Sequence, residues 1–327
     1  MLFFHVFLNA LGESPLLWHY RHEIKGLCMK QGLIYFLFLL AASKVFAGDT
    51  DNVCDRGVIG VEIAKAVSAS DCSQVSKADM AKLEYLVVAN KNITVLKAGS
   101  FLGLSSLKSL FIDSNRIQSI EAAAFKGLDS LLVLKLDRNK ISKIDSSVFK
   151  DLISLRALDL SFNRLEEVGG ISQLLALEEI SLEFNLLATL PQFAGGESLR
   201  SVNLKNNRLE KIQREKVLNL KSLRSIDFEN NLIADIEGEA FAQTSLIQMN
   251  LRNNRLEQIQ SNWFSNLPSL QTLTLDANAI QFVEEGSFQG SEALESLELH
   301  ANPLREISRG RAGLSPQVYI GGVRIIP

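Results

Sequence analysis

Chemistry at a protein site requires side chains that titrate, attack or ligate, and this sequence carries few of them. Of its four histidines, His5, His19 and His22 fall in the first 28 residues, which leaves His300 as the one imidazole of the rest. Nucleophilic catalysis holds a base beside its nucleophile and a third group behind the base, and one isolated histidine argues against such a constellation. The three cysteines, Cys28, Cys54 and Cys72, lack the paired spacing of a zinc site. No glycine-rich phosphate loop occurs. Carboxylates are plentiful, but pairs of them are more often a solvated face than a catalytic couple. The expectation is a non-enzyme with no catalytic residues, no cofactor and no metal ligands. What remains as candidate chemistry is recognition by acids and aromatics.

A repeat positions those side chains. Ten times between Leu83 and Ile307 the chain runs L-x-x-L-x-L-x-x-N-x-L-x-x-I, as in Leu131-x-x-Leu134-x-Leu136-x-x-Asn139-x-Ile141-x-x-Ile144. The units begin at Leu83, Leu107, Leu131, Leu155, Leu177, Leu199, Leu223, Leu246, Leu270 and Leu294, mostly 24 residues apart. A fixed period in this range predicts a solenoid. The alternation within x-L-x-L-x predicts a short strand with its leucines inward, and stacked units predict a parallel sheet with strands about 4.8 Å apart. Position nine is Asn in every unit but the first, which has Lys91. Its amide is expected to pair backbone groups of the turn that leaves the strand. Phe101, Phe125, Phe149, Phe241, Phe264 and Phe288 recur in the long units and are expected to fill the opposite half of the core. The units from Leu155 and Leu177 are shorter and contain Gly169-Gly170 and Gly195-Gly196, which predicts a local change of curvature.

Counting the first Leu of each unit as position one, positions three, five and seven face outward, and equivalent positions in adjacent units are neighbours. Position seven alternates in charge through Glu183, Lys205, Glu229, Arg252 and Asp276. Opposite charges on adjacent strands contribute roughly 0.2–1 kcal/mol each, so this half is expected to satisfy itself. The first half differs. Asp113 and Asp137 place like charges on adjacent rungs; Lys135 can pair with Asp159, which leaves those two without a cation in their own column. Beside them lie Tyr85, Val87, Phe111 and Val133, with Phe162 and Phe184 at position eight. Apolar and aromatic side chains on a wet face mark an interaction surface, and aromatics beside charge suit protein recognition. These ten residues are the candidate binding site; the alternative is that the segment preceding the repeats, or a glycan, covers Tyr85 and Val87.

The termini carry separate signals. Residues 33–42 form an apolar run behind Met29-Lys30, ending Val45-Phe46-Ala47 before Gly48. This reads as a signal peptide over 29–47, with residues 1–28 an upstream extension of an over-long gene product. The alternative is an uncleaved anchor, the one route by which the chain would meet a membrane. No later stretch approaches the roughly 20 apolar residues of a span. Past such a signal, Cys54 and Cys72 are expected to pair within an N-terminal cap over 48–82. Residues 308–327 form a C-terminal cap or tail, in which 318–326 looks like two short strands around Gly321-Gly322; it covers the last rung, or else it ends a truncated product. Asn92-Ile93-Thr94 is the one ordinary glycosylation sequon. The formal charge of −3 argues against nucleic acid, which draws a basic face.

Repeats of this length with the Asn column and Phe spine resemble the typical, extracellular subfamily of leucine-rich repeats, shared by Toll-like receptor ectodomains, small leucine-rich proteoglycans and insect leucine-rich immune proteins. The resemblance covers about 83–307 and implies an α/β solenoid, a horseshoe with a parallel concave β-sheet of about ten repeats. It implies a protein-binding role in innate immunity or extracellular recognition. Three departures bear on this: a cap with two cysteines where many relatives have four, no C-terminal cysteine cap, and neither a transmembrane helix nor an intracellular signalling domain. These absences favour a secreted member, with short insect immune proteins closest in architecture. A membrane-tethered receptor or co-receptor is the alternative.

Overall fold

The computed structural model describes residues 52–193 and 197–326. The chain divides into a unit of residues 1–51 and a unit of residues 52–327. The expected extension, signal segment and Cys28 fall in the first unit and lie outside the described residues, as does the Gly195-Gly196 pair. Among the described residues, no helix is long and apolar enough to cross a membrane.

The second unit is a solenoid built on one eleven-stranded sheet whose strands follow one another in chain order. They are β1 (Tyr85–Val87), β2 (Ser109–Phe111), β3 (Val133–Lys135), β4 (Ala157–Asp159), β5 (Glu179–Ser181), β6 (Ser201–Asn203), β7 (Ser225–Asp227), β8 (Gln248–Asn250), β9 (Thr272–Thr274), β10 (Ser296–Glu298) and β11 (Tyr319–Gly321). Every neighbouring pair is parallel and in register, as Leu86 against Leu110 and Leu110 against Leu134 show. In the first ten strands the central residue is buried while its flanks face outward, the period-two consequence of a pleat covered on one side. On the opposite side of the coil, two-residue strands pair between rungs, such as Lys143–Ile144 with Glu167–Val168.

Two side-chain ladders hold the rungs together. Asn139 is representative: its Nδ2 donates to the carbonyls of Ile112, Leu136 and Asp137 at 3.0–3.2 Å, and its Oδ1 accepts the Ile117 N–H at 3.0 Å. One buried amide thereby pairs four backbone groups that the turn would otherwise leave without partners. Lys91 replaces this amide only on the first rung, where no earlier repeat needs bridging. Its ammonium goes instead to Glu62, 2.9 Å away. The second ladder is the phenylalanine spine, with Phe101 and Phe125 stacked at 6.0 Å and Phe264 and Phe288 at 6.2 Å between centroids. In the short units the spine is absent, and a Cβ on Gly169 or Gly170 would collide with the Ser146 backbone, so the chain there lies directly against the preceding rung.

Helix α1 (Val58–Ala66) closes the N-terminal end, burying Ile59, Ile63 and Ala64. Cys54 and Cys72 are joined in a disulfide with Cα atoms 5.0 Å apart. At the other end the two strands around Gly321-Gly322 do not pair with each other. β11 pairs with β10, and Arg324–Ile326 pairs with Glu306–Ser308, so this segment adds a short eleventh rung.

Candidate functional site

The strand face presents the outward positions as columns along the stack. Val87, Phe111, Lys135 and Asp159 are register partners in one column across β1 to β4. The column beside it runs Tyr85, Ser109, Val133, Ala157. Val133 is therefore separated from Tyr85 by a serine, and the apolar surface is continuous only through Phe111. Tyr85 and Phe111 pack with ring centroids 5.0 Å apart. Tyr85 is 55% and Val87 42% exposed, so the described residues of the N-terminal cap do not cover them. Asn92 is exposed just beyond them.

The acidic group lies immediately inward. Asp113 and Asp137 share position seven, and Asp159 stands on the next rung. Burial, then the charges of Asp159 and Asp113, push the Asp137 carboxyl up from the ordinary aspartate value, with Lys135 opposing. The expected pairing of Lys135 with Asp159 is not made: no ion pair within 4 Å joins them among the described residues. Asp159 Oδ1 is taken by the Ser161 hydroxyl at 2.6 Å and its backbone N–H at 3.0 Å. The Lys135 ammonium lies over the Phe111 ring, 5.7 Å from its centroid.

Phe162 and Phe184 continue the surface along the sheet edge, stacked at 4.6 Å and 42% and 43% exposed. Arg138, which sequence reasoning passed over, caps this stack with its guanidinium 5.4 Å from the Phe162 centroid. Its Nε is also 3.7 Å from Asp137 Oδ2. Position eight is left-handed in all ten units. Its asparagines, Asn90, Asn206, Asn230 and Asn253, were the available signal, because Asn tolerates that conformation far better than Phe or Arg does.

The second half of the face is self-paired, but with fewer ions than its alternating charges suggest. Lys205 and Glu229 meet at 2.6 Å. Asn203 and Asn250 donate to Glu183 and Glu229 at 3.0 and 3.3 Å. Arg252 forms no ion pair among the described residues, because Glu229 is occupied by Lys205 and Asn250, and Asp276 Oδ1 accepts the His300 backbone N–H at 2.7 Å. At position eight, Asn230 donates to Asn206 and Asn253 to Asn230, at 2.8 and 2.6 Å.

A family model described as leucine rich repeat matches residues 81–141, 130–187, 197–249 and 244–304. No curated protein sequence matches the chain. Among solved structures, it is similar to the leucine-rich repeat domain of APL1B, at 22% identity and TM-score 0.60, over 76% of this chain and 74% of that one. It is similar to a chain of the Toll–Spatzle complex of Drosophila, at 24% identity and TM-score 0.59, over 70% of this chain and 34% of that one. A chain of the TLR13–ssRNA13 complex matches at 22% identity and TM-score 0.57, over 77% of this chain and 46% of that one. The chain thus spans less than half the length of the Toll and TLR13 chains it matches. At these identities the likeness is one of fold.

Proposed function

The chain belongs to the leucine-rich-repeat family, and on that premise we propose that it is a secreted, non-catalytic protein-binding module whose partner docks on rungs one to five. The observation that carries this reading is the exposure of Tyr85, Val87, Phe162 and Phe184 around an acidic group of three aspartates, of which, among the described residues, only Asp137 meets a cation of its own chain, Arg138 at 3.7 Å. A partner with a basic side chain flanked by apolar ones would offset the Asp113, Asp137 and Asp159 charges and cover the rings. Aromatic anchors beside desolvated charge concentrate binding energy at protein interfaces. Toll, whose complex with Spatzle is described as a hub in development and innate immunity, and APL1B share this fold, which supports an extracellular setting and innate immunity as the context.

Capture of partners from medium by the full chain tests the reading. Wild type retains a partner that Phe111→Ala combined with Asp137→Lys loses while its thermal melt is unchanged. Equal loss from changing Lys205 and Arg252 would place the site on the wrong half of the face.

Secretion rests on the 29–47 segment and on the Cys54–Cys72 disulfide, a bond that persists in oxidising compartments. Glycosylation at Asn92 accords with its exposure. The second reading, a membrane-tethered receptor or co-receptor, rests on the apolar run 33–42. Mass spectrometry of the mature N-terminus separates the two: Gly48 as first residue in medium supports secretion, and an intact 29–47 segment supports the anchor.

A further inference from the structure

The far end of the strand face gathers a different chemistry. Asp276 and His300 hold position seven of units nine and ten, and Glu298 holds position five of unit ten, so their donor atoms converge across adjacent rungs. His300 Nδ1 lies 3.3 Å from Asp276 Oδ1 and 3.3 Å from Glu298 Oε2. A charge-assisted N–H···O bond would be about 2.7–2.9 Å long, and among the described residues the ring donates to neither carboxylate. Tetrahedral zinc, with donors about 2.0–2.1 Å from the ion, spaces those donors about 3.3–3.4 Å apart. The two separations from His300 match edges of such a tetrahedron, and the Asp276 and Glu298 donor atoms lie within 4.8 Å of each other.

The donors are also oriented from behind. Glu298 Oε1 accepts the Ser296 hydroxyl at 3.0 Å, which leaves Oε2 to face the imidazole. Asp276 Oδ1 accepts the His300 backbone N–H at 2.7 Å, tying the two rungs together beneath the ring. Outer contacts of this kind hold ligands in place before an ion arrives. The eleventh rung closes one side. A Cβ on Gly321 would overlap Glu298 Oε2 and His300 Cε1, and one on Gly322 would strike the His300 backbone. Only glycine allows the cap strand to lie against these donors. His300 is half exposed on its other side, which gives an ion a route in.

We propose that Asp276, Glu298 and His300 form a binding site for a divalent transition metal of the zinc class, with water in the fourth position. One imidazole nitrogen among two carboxylate oxygens suits zinc better than magnesium or calcium, which take all-oxygen shells. The site lies on the half of the face opposite the aromatic patch, so it stands independently of the protein-binding reading.

Calorimetric titration of Zn²⁺ into the full chain, beside His300→Ala and Glu298→Gln, tests it. His5, His19 and His22 of the same chain can take zinc themselves, so the readout is the loss of one equivalent and not of all binding. Glu298→Gln keeps the size of the side chain, which guards against a variant that fails to fold. The expected result is one fewer Zn²⁺ bound, or at least tenfold weaker binding of that equivalent, in both variants with unchanged circular dichroism. Co²⁺ should give a strong tetrahedral absorption band that both variants lose, and hundredfold excess Mg²⁺ should not displace the ion. Retention of the equivalent by either folded variant, or an octahedral Co²⁺ spectrum unaltered by both, overturns the proposal and leaves the three residues an ion-pair cluster.

Discussion

The rings of Phe162 and Phe184 stack 4.6 Å apart, with planes 18° from parallel, on two residues whose φ angles are +53° and +52°. Left-handed backbone costs an ordinary residue roughly 1–2 kcal/mol, and one aromatic pair returns about 0.5–1.5 kcal/mol. The stack therefore does little for the fold, and three later units use Asn in the same place. Replacing both with Asn should leave the melting temperature unchanged or raised, because Asn206, Asn230 and Asn253 already bond one another in that column. Partner binding should fall at least tenfold. A marked drop in melting temperature would show that the stack is structural.

Asp137 should make the protein more stable when it is protonated. Its carboxyl is pushed above the ordinary value of 3.8 by burial and by Asp159 and Asp113. An acid with a raised folded value contributes stability that is complete below its unfolded value and is lost as pH rises through the folded one. Asp137→Asn, which removes the charge at every pH, should stabilise the neutral-pH protein by roughly 0.2–1 kcal/mol, the scale of a like-charge lateral contact. Thermal melts across pH should show this advantage vanish below about pH 3.8, the unfolded reference. An Asn variant less stable than wild type at neutral pH contradicts the argument.

The parts of this structure legible in the sequence were those that repeat. Leu86, Leu110 and Leu134 announce a strand by recurring in register, and Asn139 announces a turn by recurring at position nine. The outward columns follow from that register, which is why Phe111 and Asp137 could be placed on one face. Their local partners could not. Lys135 lies over Phe111 while the Ser161 hydroxyl and N–H hold Asp159 Oδ1, a choice made by side-chain torsions. The zinc-class donors escaped for another reason. His300 and Asp276 share a column, but Glu298 joins them from another position, and Gly321 closes over them because β11 pairs with β10. That pairing has no repeat to announce it.

Asn139 should be among the least replaceable polar residues of the chain. Its side chain makes four hydrogen bonds to backbone groups of two adjacent rungs, all at 3.2 Å or less. Leaving one buried group without a partner costs about 1–3 kcal/mol, so Asn139→Leu should cost on the order of 3 kcal/mol after some relaxation by neighbours. Lys91→Asn, at the same position of the first rung, should change stability by less than about 1 kcal/mol, since it exchanges a single ion pair, its lysine about a third exposed, for an amide. Urea unfolding of the two variants tests the contrast. Comparable losses would mean that the position matters for packing and not for its hydrogen bonds.

The disulfide should govern the first rungs and not the last. Cys54 and Cys72 are 18 residues apart, and closing a loop of that length is worth about 3 kcal/mol on the chain-entropy account. The Glu62–Lys91 pair that also ties the cap to rung one spans 2.9 Å, but contacts of that exposure contribute about 1 kcal/mol or less. The disulfide is therefore the larger constraint on α1. In a solenoid each rung feels mainly its neighbours, so Cys54→Ser with Cys72→Ser should lower amide protection over α1, β1 and β2 while β7 to β10 keep theirs. Because Tyr85 and Phe111 sit on β1 and β2, partner capture should weaken in this variant although no residue of the patch is changed. Hydrogen exchange by mass spectrometry reads both halves in one measurement. A uniform loss across all rungs would show instead that the whole stack unfolds as one unit.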